Sequence, residues 1–322
     1  MNRIGKKILS VLLCMSLVCS MAAVCAFASM GDMVRLGDVN ASDTVNAVDA
    51  RFVLQSAANM RQFSEAESTA ADINQDGKIN AVDARWILQI ASGRRLALML
   101  DTQTGAVALE AQVSEESSPE EALAFFNLVL NRVKPFASSV TITRQYNSID
   151  GAIEGEMSDS LRDMVTQLVE ENCGEVDVSD VPPATTTAEK NDLFPVEGEG
   201  WSSRLTVEDI EDITVQTDAD TYTITVRVKS DPVSADTQWC GGHFGKAFAV
   251  LTPEDFADDS AGGMMQEIKT GNRGGTIAVS VDRQTGNVLS ATHDGVWVTA
   301  VHTMGIEMIL PLRTQTDYVM AW

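Results

Sequence analysis

The sequence predicts a small all-α unit built from two loop–helix repeats, followed by an α+β domain. An internal duplication within residues 38–91 predicts the small unit, because each copy joins a polar loop to a helical apolar pattern. Two capped helical segments and then alternating apolar residues predict a mostly antiparallel, curved sheet packed on one or two helices. The expected boundaries are 33–95 for the small unit and 96–322 for the larger domain, with a loop or linker near 174–200.

Residues 1–28 have the three-part pattern of a secretory signal peptide. A positively charged start is followed by an apolar stretch over residues 8–24 and by an A-x-A cleavage site at residues 26–28. A retained membrane anchor is one alternative, because the apolar stretch is nearly long enough to span a bilayer. A lipid anchor at Cys25 is less favoured, since Val24 is bulkier than the small residue usual there. We expect a secreted or cell-surface protein.

The charge of the chain excludes one class of partner. Asp and Glu number 46 against 23 Lys and Arg, so the net charge is −23. Nucleic acid is therefore not expected to bind, because a phosphate backbone requires a basic face. Two cysteines lie outside the leader, Cys173 and Cys240, and they could form one disulfide without establishing a framework.

The duplication relates residues 38–57 to residues 72–91. The first copy reads DVNASDTVNAVDARFVLQSA and the second reads DINQDGKINAVDARWILQIA, with eleven of twenty positions identical at an offset of 34 residues. A duplicated supersecondary unit explains this similarity. Asp, Asn and Gly that merely marked surface turns would not repeat in this way.

Both copies have the spacing of a calcium-binding loop. Calcium takes six to eight oxygen ligands, which a twelve-residue loop supplies from positions 1, 3, 5, 7, 9 and 12. In the second copy these are Asp72, Asn74, Asp76, the carbonyl of Lys78, Asn80 and Asp83. In the first copy they are Asp38, Asn40, Ser42, the carbonyl of Thr44, Asn46 and Asp49. The sequence therefore predicts two Ca²⁺ sites.

The first loop departs from the ideal pattern at two positions. Ser42 replaces a carboxylate at position 5, and Asp43 stands where the second loop has Gly77 for the sharp turn. Aspartate tolerates a left-handed backbone better than most residues, so the turn can form at some cost. We therefore expect weaker calcium binding in the first loop.

These repeats resemble a type I dockerin domain. The 34-residue offset, the Asp at position 12 of each loop and the helix expected after each loop carry the resemblance. An ordinary EF-hand has Glu at position 12 and a helix before the loop, whereas residues 33–37 are too short and end in glycine. The resemblance implies docking onto the cohesin domain of a scaffoldin, in an extracellular, cellulosome-type complex that degrades polysaccharide.

The same resemblance implies which residues face the cohesin. They are Ala47, Val48, Leu54, Gln55 and Asn59 in the first copy, and Ala81, Val82, Leu88, Gln89 and Gly93 in the second. Four of these five pairs are identical, so the resemblance implies two similar surfaces and binding in two orientations. The alternative for Leu54 and Leu88 is a place in the core, where leucine usually lies.

Local signals mark the elements of the larger domain. Helices should begin after Ser118 and Ser158, and the second helix has an apolar face from Leu161 to Val169. Hairpins are expected within residues 96–112, 213–229 and 276–293, and residues 296–304 and 306–319 would extend the sheet. Such a sheet can hold an apolar ligand, although every sheet also has a core, which is the simpler expectation.

The segment WCGGH contains the candidate catalytic residues. Cys240 could act as a nucleophile, with His243, His293 or His302 as its base. The similarity to the cysteine region of papain-like enzymes covers only a few residues, so a turn cysteine, bridged or not to Cys173, is the simpler interpretation. A zinc site at Cys240 and His243 lacks a recognised spacing.

Paired carboxylates for glycoside hydrolysis are also available. The candidates are Glu154, Glu156, Glu208, Asp209 and Glu211, and tryptophans that could stack on a sugar are Trp201, Trp239 and Trp297. In a chain this acidic such pairs arise by chance and usually face solvent, so no catalytic residue is assigned.

Two functions remain open for the larger domain. The first is a non-catalytic cargo that binds polysaccharide or another cell-surface ligand, or that has a structural role. The second is a hydrolase of polysaccharide or of peptide bonds that the dockerin delivers to the complex. Two carboxyl groups about 5–10 Å apart in a cleft would favour a glycosidase. Cys240 beside a histidine would favour a cysteine hydrolase, and neither arrangement would favour a binding module.

Overall fold

The computed structural model describes residues 33–256, 267–303 and 305–322. The chain divides into two compact units, the first ending at Glu110 and the second beginning at Ala111. The expected signal peptide lies outside the described residues. Within the described ranges, no helix combines the length and apolar character that crossing a bilayer requires.

The first unit contains three helices and three short strands. The helices are α1 (Ala47–Ala57), α2 (Glu65–Ala71) and α3 (Ala81–Ala91). The strands are β1 (Met33–Leu36), β2 (Leu98–Asp101) and β3 (Val107–Leu109). Helices α1 and α3 begin at equivalent residues of the two repeats, because Asn46 and Asn80 cap them with reciprocal bonds to Asp49 and Asp83.

The small sheet corrects the all-α prediction for this unit. Strand β2 pairs antiparallel with both β1 and β3. The hairpin expected within residues 96–112 is thus present, but it lies with the repeats and places the unit boundary after Glu110 rather than at residue 95. Helix α2 was not predicted from the sequence, although Ser64 caps it with Glu67 in a capping box. Leu98 and Leu100 join the core of the repeats, which explains why the hairpin belongs there.

Equivalent residues of the two repeats share one core. Val53 and Ile87, which occupy equivalent positions, are fully buried. Two other equivalent pairs are at most 3% exposed, namely Ala50 with Ala84 and Val39 with Ile73. Val45 and Ile79, one in each loop, both pack half-buried against this cluster. Neither repeat could bury its apolar face alone, so the two loop–helix motifs stabilise each other.

The second unit contains four helices and eight strands within the described residues. The helices are α4 (Pro119–Leu130), α5 (Val133–Phe136), α6 (Asp159–Glu170) and α7 (Thr187–Leu193). The first strands are β4 (Ser139–Ile149), β5 (Gly174–Val176), β6 (Ile210–Thr217), β7 (Thr221–Val228) and β8 (Asp231–Ser234). Three long strands follow, β9 (Glu267–Asp282), β10 (Val288–Thr303) and β11 (Ile306–Ala321).

These strands form a single antiparallel sheet in the order β5-β4-β11-β10-β9-β7-β6, with β8 paired to β9. The predicted antiparallel sheet is confirmed, and so are the turns at residues 218–220 and 283–286. Two separate strands were expected over residues 287–293 and 296–304, but residues 288–303 form the single strand β10. Its pairing with β9 shifts register between Gly295 and Trp297, a bulge that interrupts the alternating pattern without ending the strand.

The predicted helix starts at Ser118 and Ser158 are confirmed, since both hydroxyls accept a bond from the third amide of the helix. The loop or linker expected near 174–200 instead contains β5 and α7. Lys190 on α7 is buried and donates to the carbonyl of Ala137. This segment is therefore anchored to the second unit and does not divide it.

Candidate functional sites

The second loop is folded around the side chain of its first residue. The two carboxylate oxygens of Asp72 accept from the amides of Asp76, at 3.1 Å, and Gly77, at 2.9 Å. Asn74 Oδ1 also accepts from the amide of Asp76. Gly77 has φ of 77°, the left-handed conformation that the turn requires. The loop thus gathers oxygen-bearing side chains on its inner side.

Asp83, the last position of this loop, has an oxygen without a partner. Its side chain is buried, and Oδ2 accepts from the Asn80 amide at 2.9 Å. Among the described residues Oδ1 has no hydrogen-bond partner of ordinary geometry, although the Asn74 amide is close enough to the carboxyl to lower its pKa. Burial raises the pKa of Asp83, and the negative charge of Asp72 raises it further. A buried carboxylate beside another is costly unless a cation neutralises both, so the loop fits a calcium ion.

The first loop has a similar backbone but one carboxylate fewer at the expected ligand positions, because Ser42 stands where the second loop has Asp76. Asp38 accepts from the amides of Ser42 and Asp43 at 2.9 and 2.8 Å. Asp43 adopts φ of 61°, matching Gly77 as the sequence predicted. Both oxygens of Asp49 already accept amide bonds, from Asn40 at 3.2 Å and Asn46 at 2.9 Å. This loop therefore holds its last carboxylate without the orphaned oxygen found at Asp83.

Each loop combines few charged groups with neutral oxygens. Over the described ranges, no cluster of three or more His, Cys, Asp and Glu side chains is arranged to hold a metal. A calcium ion in the first loop would therefore also need the side chains of Asn40, Ser42 and Asn46 and the carbonyl of Thr44. An ion in the second loop would need the side chains of Asn74 and Asn80 and the carbonyl of Lys78. Asn and Ser oxygens and backbone carbonyls are ordinary ligands of this hard cation.

The residues expected to face a cohesin lie on the outside of α1 and α3. Val48 and Val82 are 40% and 41% exposed, and Leu54 and Leu88 are each 46% exposed. Neither leucine is in the core, which removes the alternative considered for them. Ala47, Asn59, Ala81 and Gly93 are exposed as well, whereas Gln55 and Gln89 are half-buried. We call these ten residues the repeat face.

Cys240 does not have the surroundings of a catalytic nucleophile. Both Cys240 and Cys173 are free thiols, so the possible disulfide between them is absent. Burial raises the pKa of Cys240, and the carboxylate of Glu199 raises it further. Activated cysteines require the opposite shift, caused by a nearby positive charge or a helix N-terminus.

His243 takes part in a hydrogen-bond network centred on the buried carboxylate of Asp209. Its Nδ1 lies 2.9 Å from Asp209 Oδ1, which also accepts from Lys246 Nζ at 2.6 Å. The other oxygen of Asp209 accepts from the amide and hydroxyl of Thr206. These hydrogen bonds outweigh burial and hold the pKa of Asp209 well below its ordinary value. With every lone pair engaged, Asp209 is suited to bracing the adjoining loops.

The acidic residues considered for glycoside hydrolysis are not gathered in a cleft. Glu154, Glu156, Glu208 and Glu211 are exposed, and Glu154 pairs with Arg273. None of the four, nor Asp209, lines the cavity described next.

A cavity of about 600 Å³ opens on the sheet of the second unit. We call it the sheet cavity and define it by Asp192, Glu197, Trp239, His293, Trp297 and Tyr318. Its walls come from β4, β10, β11 and the segments before β6 and β9. The sequence predicts His293 only as a possible base for Cys240. The cavity has no local sequence motif, because the residues that line it lie far apart in the chain.

Comparison with known proteins gives a family match within the first unit. No curated protein and no solved structure matches the chain. The family model for the Dockerin type I domain matches residues 36–89. That range holds both loops and the helices α1 and α3 that follow them. Residues 36–89 are therefore a type I dockerin domain, as the repeat indicated.

Proposed function

We propose that this is a secreted protein whose dockerin domain binds two calcium ions and attaches the second unit to a cohesin-bearing scaffoldin. A dockerin implies cohesin docking in a cellulosome-type complex, and type I dockerins bind calcium. The proposal adds that the complex degrades polysaccharide outside the cell and that the second unit is a non-catalytic binding or structural cargo.

The observation that carries the docking proposal is the paired exposure on the repeat face. Leu54 and Leu88 occupy equivalent positions and are equally exposed, although a small unit with little core would gain by burying them. Val48 and Val82 repeat the pattern six residues earlier in each copy. Apolar side chains presented twice in the same arrangement suit a partner that covers either copy.

Calcium would couple this face to folding. The helices α1 and α3 start directly from the two loops, and their buried sides form the shared core. An ion bound by oxygens of a loop fixes the start of its helix, and binding only to the folded state adds stability. Removing calcium is therefore expected to loosen the repeat face and weaken cohesin binding.

Substitutions on the repeat face test the proposal with a panel of type I cohesin domains. In calcium, Leu54→Asp or Leu88→Asp alone should leave one intact copy and most of the affinity, whereas the double variant should lose binding at least a hundredfold. Met60→Asp, at an apolar residue 79% exposed outside the face, is the matched control. Binding by the double variant at wild-type strength, or undiminished binding in chelator, would refute the proposal.

The surroundings of the two candidate catalytic residues Cys240 and Asp209 support the non-catalytic part of the proposal. Cys240 has a raised pKa and no activating cation that outweighs its burial. Asp209 is saturated with hydrogen bonds. Neither is poised for the hydrolysis chemistry considered from the sequence.

A hydrolase remains the second candidate because of two carboxyl groups at the sheet cavity. Glu197 is exposed at the rim, but neighbouring protein atoms partly desolvate its carboxyl and raise its pKa, with a further contribution from Asp192. A carboxyl group with a raised pKa near a second carboxyl group is an arrangement that glycosidases use. Release of nitrophenol from a panel of nitrophenyl glycosides, abolished by Glu197→Gln, would favour this candidate over a non-catalytic cargo.

A further inference from the structure

The sheet cavity contains a buried polar side chain with nothing to bond to. His293 on β10 is 4% exposed, and among the described residues neither ring nitrogen has a hydrogen-bond partner. Its ring packs edge-to-face against the rings of Phe194, Phe248 and Tyr318, whose centroids lie 5.5–5.8 Å from that of the imidazole. A buried polar group without a hydrogen bond lowers stability. Because His293 lines the cavity, this indicates that a ligand supplies the missing hydrogen bond.

The rim of the sheet cavity is acidic. Asp192, Glu197 and Asp255 line it, and no Lys or Arg side chain is among the lining residues. Over the described parts of the chain, none of these three carboxylates forms an ion pair. Lys134 lies behind the wall and offsets part of this charge, but it already donates to the carbonyls of Val196, Glu199 and Trp201.

Aromatic side chains line the cavity between its acidic rim and His293, which forms its floor. Trp297 donates its indole N–H to the carbonyl of Ala249 at 2.8 Å, which leaves its ring to line the cavity beside Phe248. Trp239 also lines the cavity and is 43% exposed at its mouth. Aromatic faces next to carboxylates attract positively charged ligands and repel negatively charged ones.

We infer that the sheet cavity binds a small organic amine: an apolar or aromatic body between Trp239 and Trp297, a hydrogen-bonding group on His293, and an ammonium at the acidic rim. The volume of about 600 Å³ falls in the range of small-molecule sites. His293 is neutral there, because burial and the charge of Lys134 lower its pKa to about 3. A neutral ring offers one N–H donor and one acceptor nitrogen, which suits a hydroxyl group.

This inference rests on the part of the proposed function that makes the second unit a binding cargo, and it is independent of calcium and cohesin. Three matched probes test it by calorimetry on the full chain: tyramine, the neutral 4-ethylphenol, and the anionic 3-(4-hydroxyphenyl)propionate. Tyramine should bind at least tenfold more tightly than the neutral probe and more tightly still than the anionic one. The order should persist in chelator, since the cavity lies in the second unit.

Two variants separate the rim from the floor. Asp192→Asn with Glu197→Gln should weaken tyramine about tenfold and leave 4-ethylphenol unchanged, because only the amine contacts the rim charge. His293→Phe should weaken both phenols by a similar factor, because it removes the shared hydrogen bond. Asp163→Asn, an exposed charge on α6 away from the cavity, is the control and should change neither affinity.

The outcomes distinguish this inference from the wider proposal. Equal affinity for all three probes, no heat with any of them, or unchanged tyramine binding in the rim variant would overturn the amine assignment while leaving cohesin docking intact. The rim substitutions lie at exposed residues, so this arm does not depend on how His293→Phe folds. Tyramine recovered chemically altered, as followed by NMR, would instead overturn the non-catalytic proposal.

Discussion

Replacing His293 with phenylalanine is expected to make the second unit more stable and to change how its stability depends on pH. The imidazole is buried among three aromatic rings, and its nitrogens have no partner within the described residues. Phenylalanine has a similar shape and needs no hydrogen bond. Removing an unsatisfied buried group should therefore raise the free energy of unfolding at pH 7 by about 1–3 kcal/mol.

The pH dependence follows from the lowered pKa of His293. In the native state the ring stays neutral down to a pKa of about 3, mainly because of burial, whereas a histidine in an unfolded chain binds a proton near pH 6.5. Between these values the unfolded state binds more protons, so the histidine contribution falls as pH is lowered through this window. Between pH 7 and pH 5 the free energy of unfolding of the wild type should fall by about 2 kcal/mol more than that of the variant.

Urea unfolding of both full-length proteins in calcium at pH 7, 6 and 5, followed by near-ultraviolet circular dichroism, measures this difference. All other titrating groups are common to the two proteins and cancel in the comparison. The gap between the variant and the wild type should widen from pH 7 to pH 5. A constant gap over this range would show that the native imidazole takes up a proton freely, and the buried, unpaired account of His293 would be wrong.

Three further substitutions have defined outcomes. Asp43→Gly should raise the thermal stability of the calcium-loaded dockerin by about 1 kcal/mol, because glycine adopts the φ of 61° at this position without strain; a decrease would contradict this. Lys134→Met should lower the free energy of unfolding of the second unit by about 3 kcal/mol, because three carbonyls lose their shared donor. Urea unfolding measures this loss, and an unchanged midpoint would contradict it. Asp209→Asn should destabilise the second unit by about 2 kcal/mol at pH 7, and by less below the unfolded pKa near pH 4, where the wild-type advantage fades; a cost independent of pH would refute the ionic role.

Features fixed by neighbouring residues could be predicted from the sequence. The left-handed turn at Asp43 and Gly77, the caps at Ser118 and Ser158, and the turn at residues 283–286 each depend on a few adjacent positions. The dockerin repeat was recognisable for the same reason, because the loop spacing and its copy lie within a short stretch. Local chemistry therefore sufficed for the two loop–helix repeats, although not for the whole first unit.

Features that depend on distant pairing could not be predicted. No local sequence signal predicts that strand β2 of the β2–β3 hairpin pairs with β1. His293 and Lys134 read as ordinary polar residues, yet both are buried by segments far away in the chain. The sheet cavity combines β4, β10 and β11 with loops before and between them, so its acidic rim and aromatic interior become visible only in the folded unit.

The central claim is that oxygen atoms of the two dockerin loops bind calcium and order the helices that follow. Calorimetric titration of calcium into the chelated full chain tests it most directly, with Asp83→Asn and Asp49→Asn as site variants. We predict two saturable binding events, the tighter one lost with Asp83→Asn, the weaker one lost with Asp49→Asn, and both lost in the double variant. Absence of heat in the wild type, or the same heat in the double variant, would contradict the account.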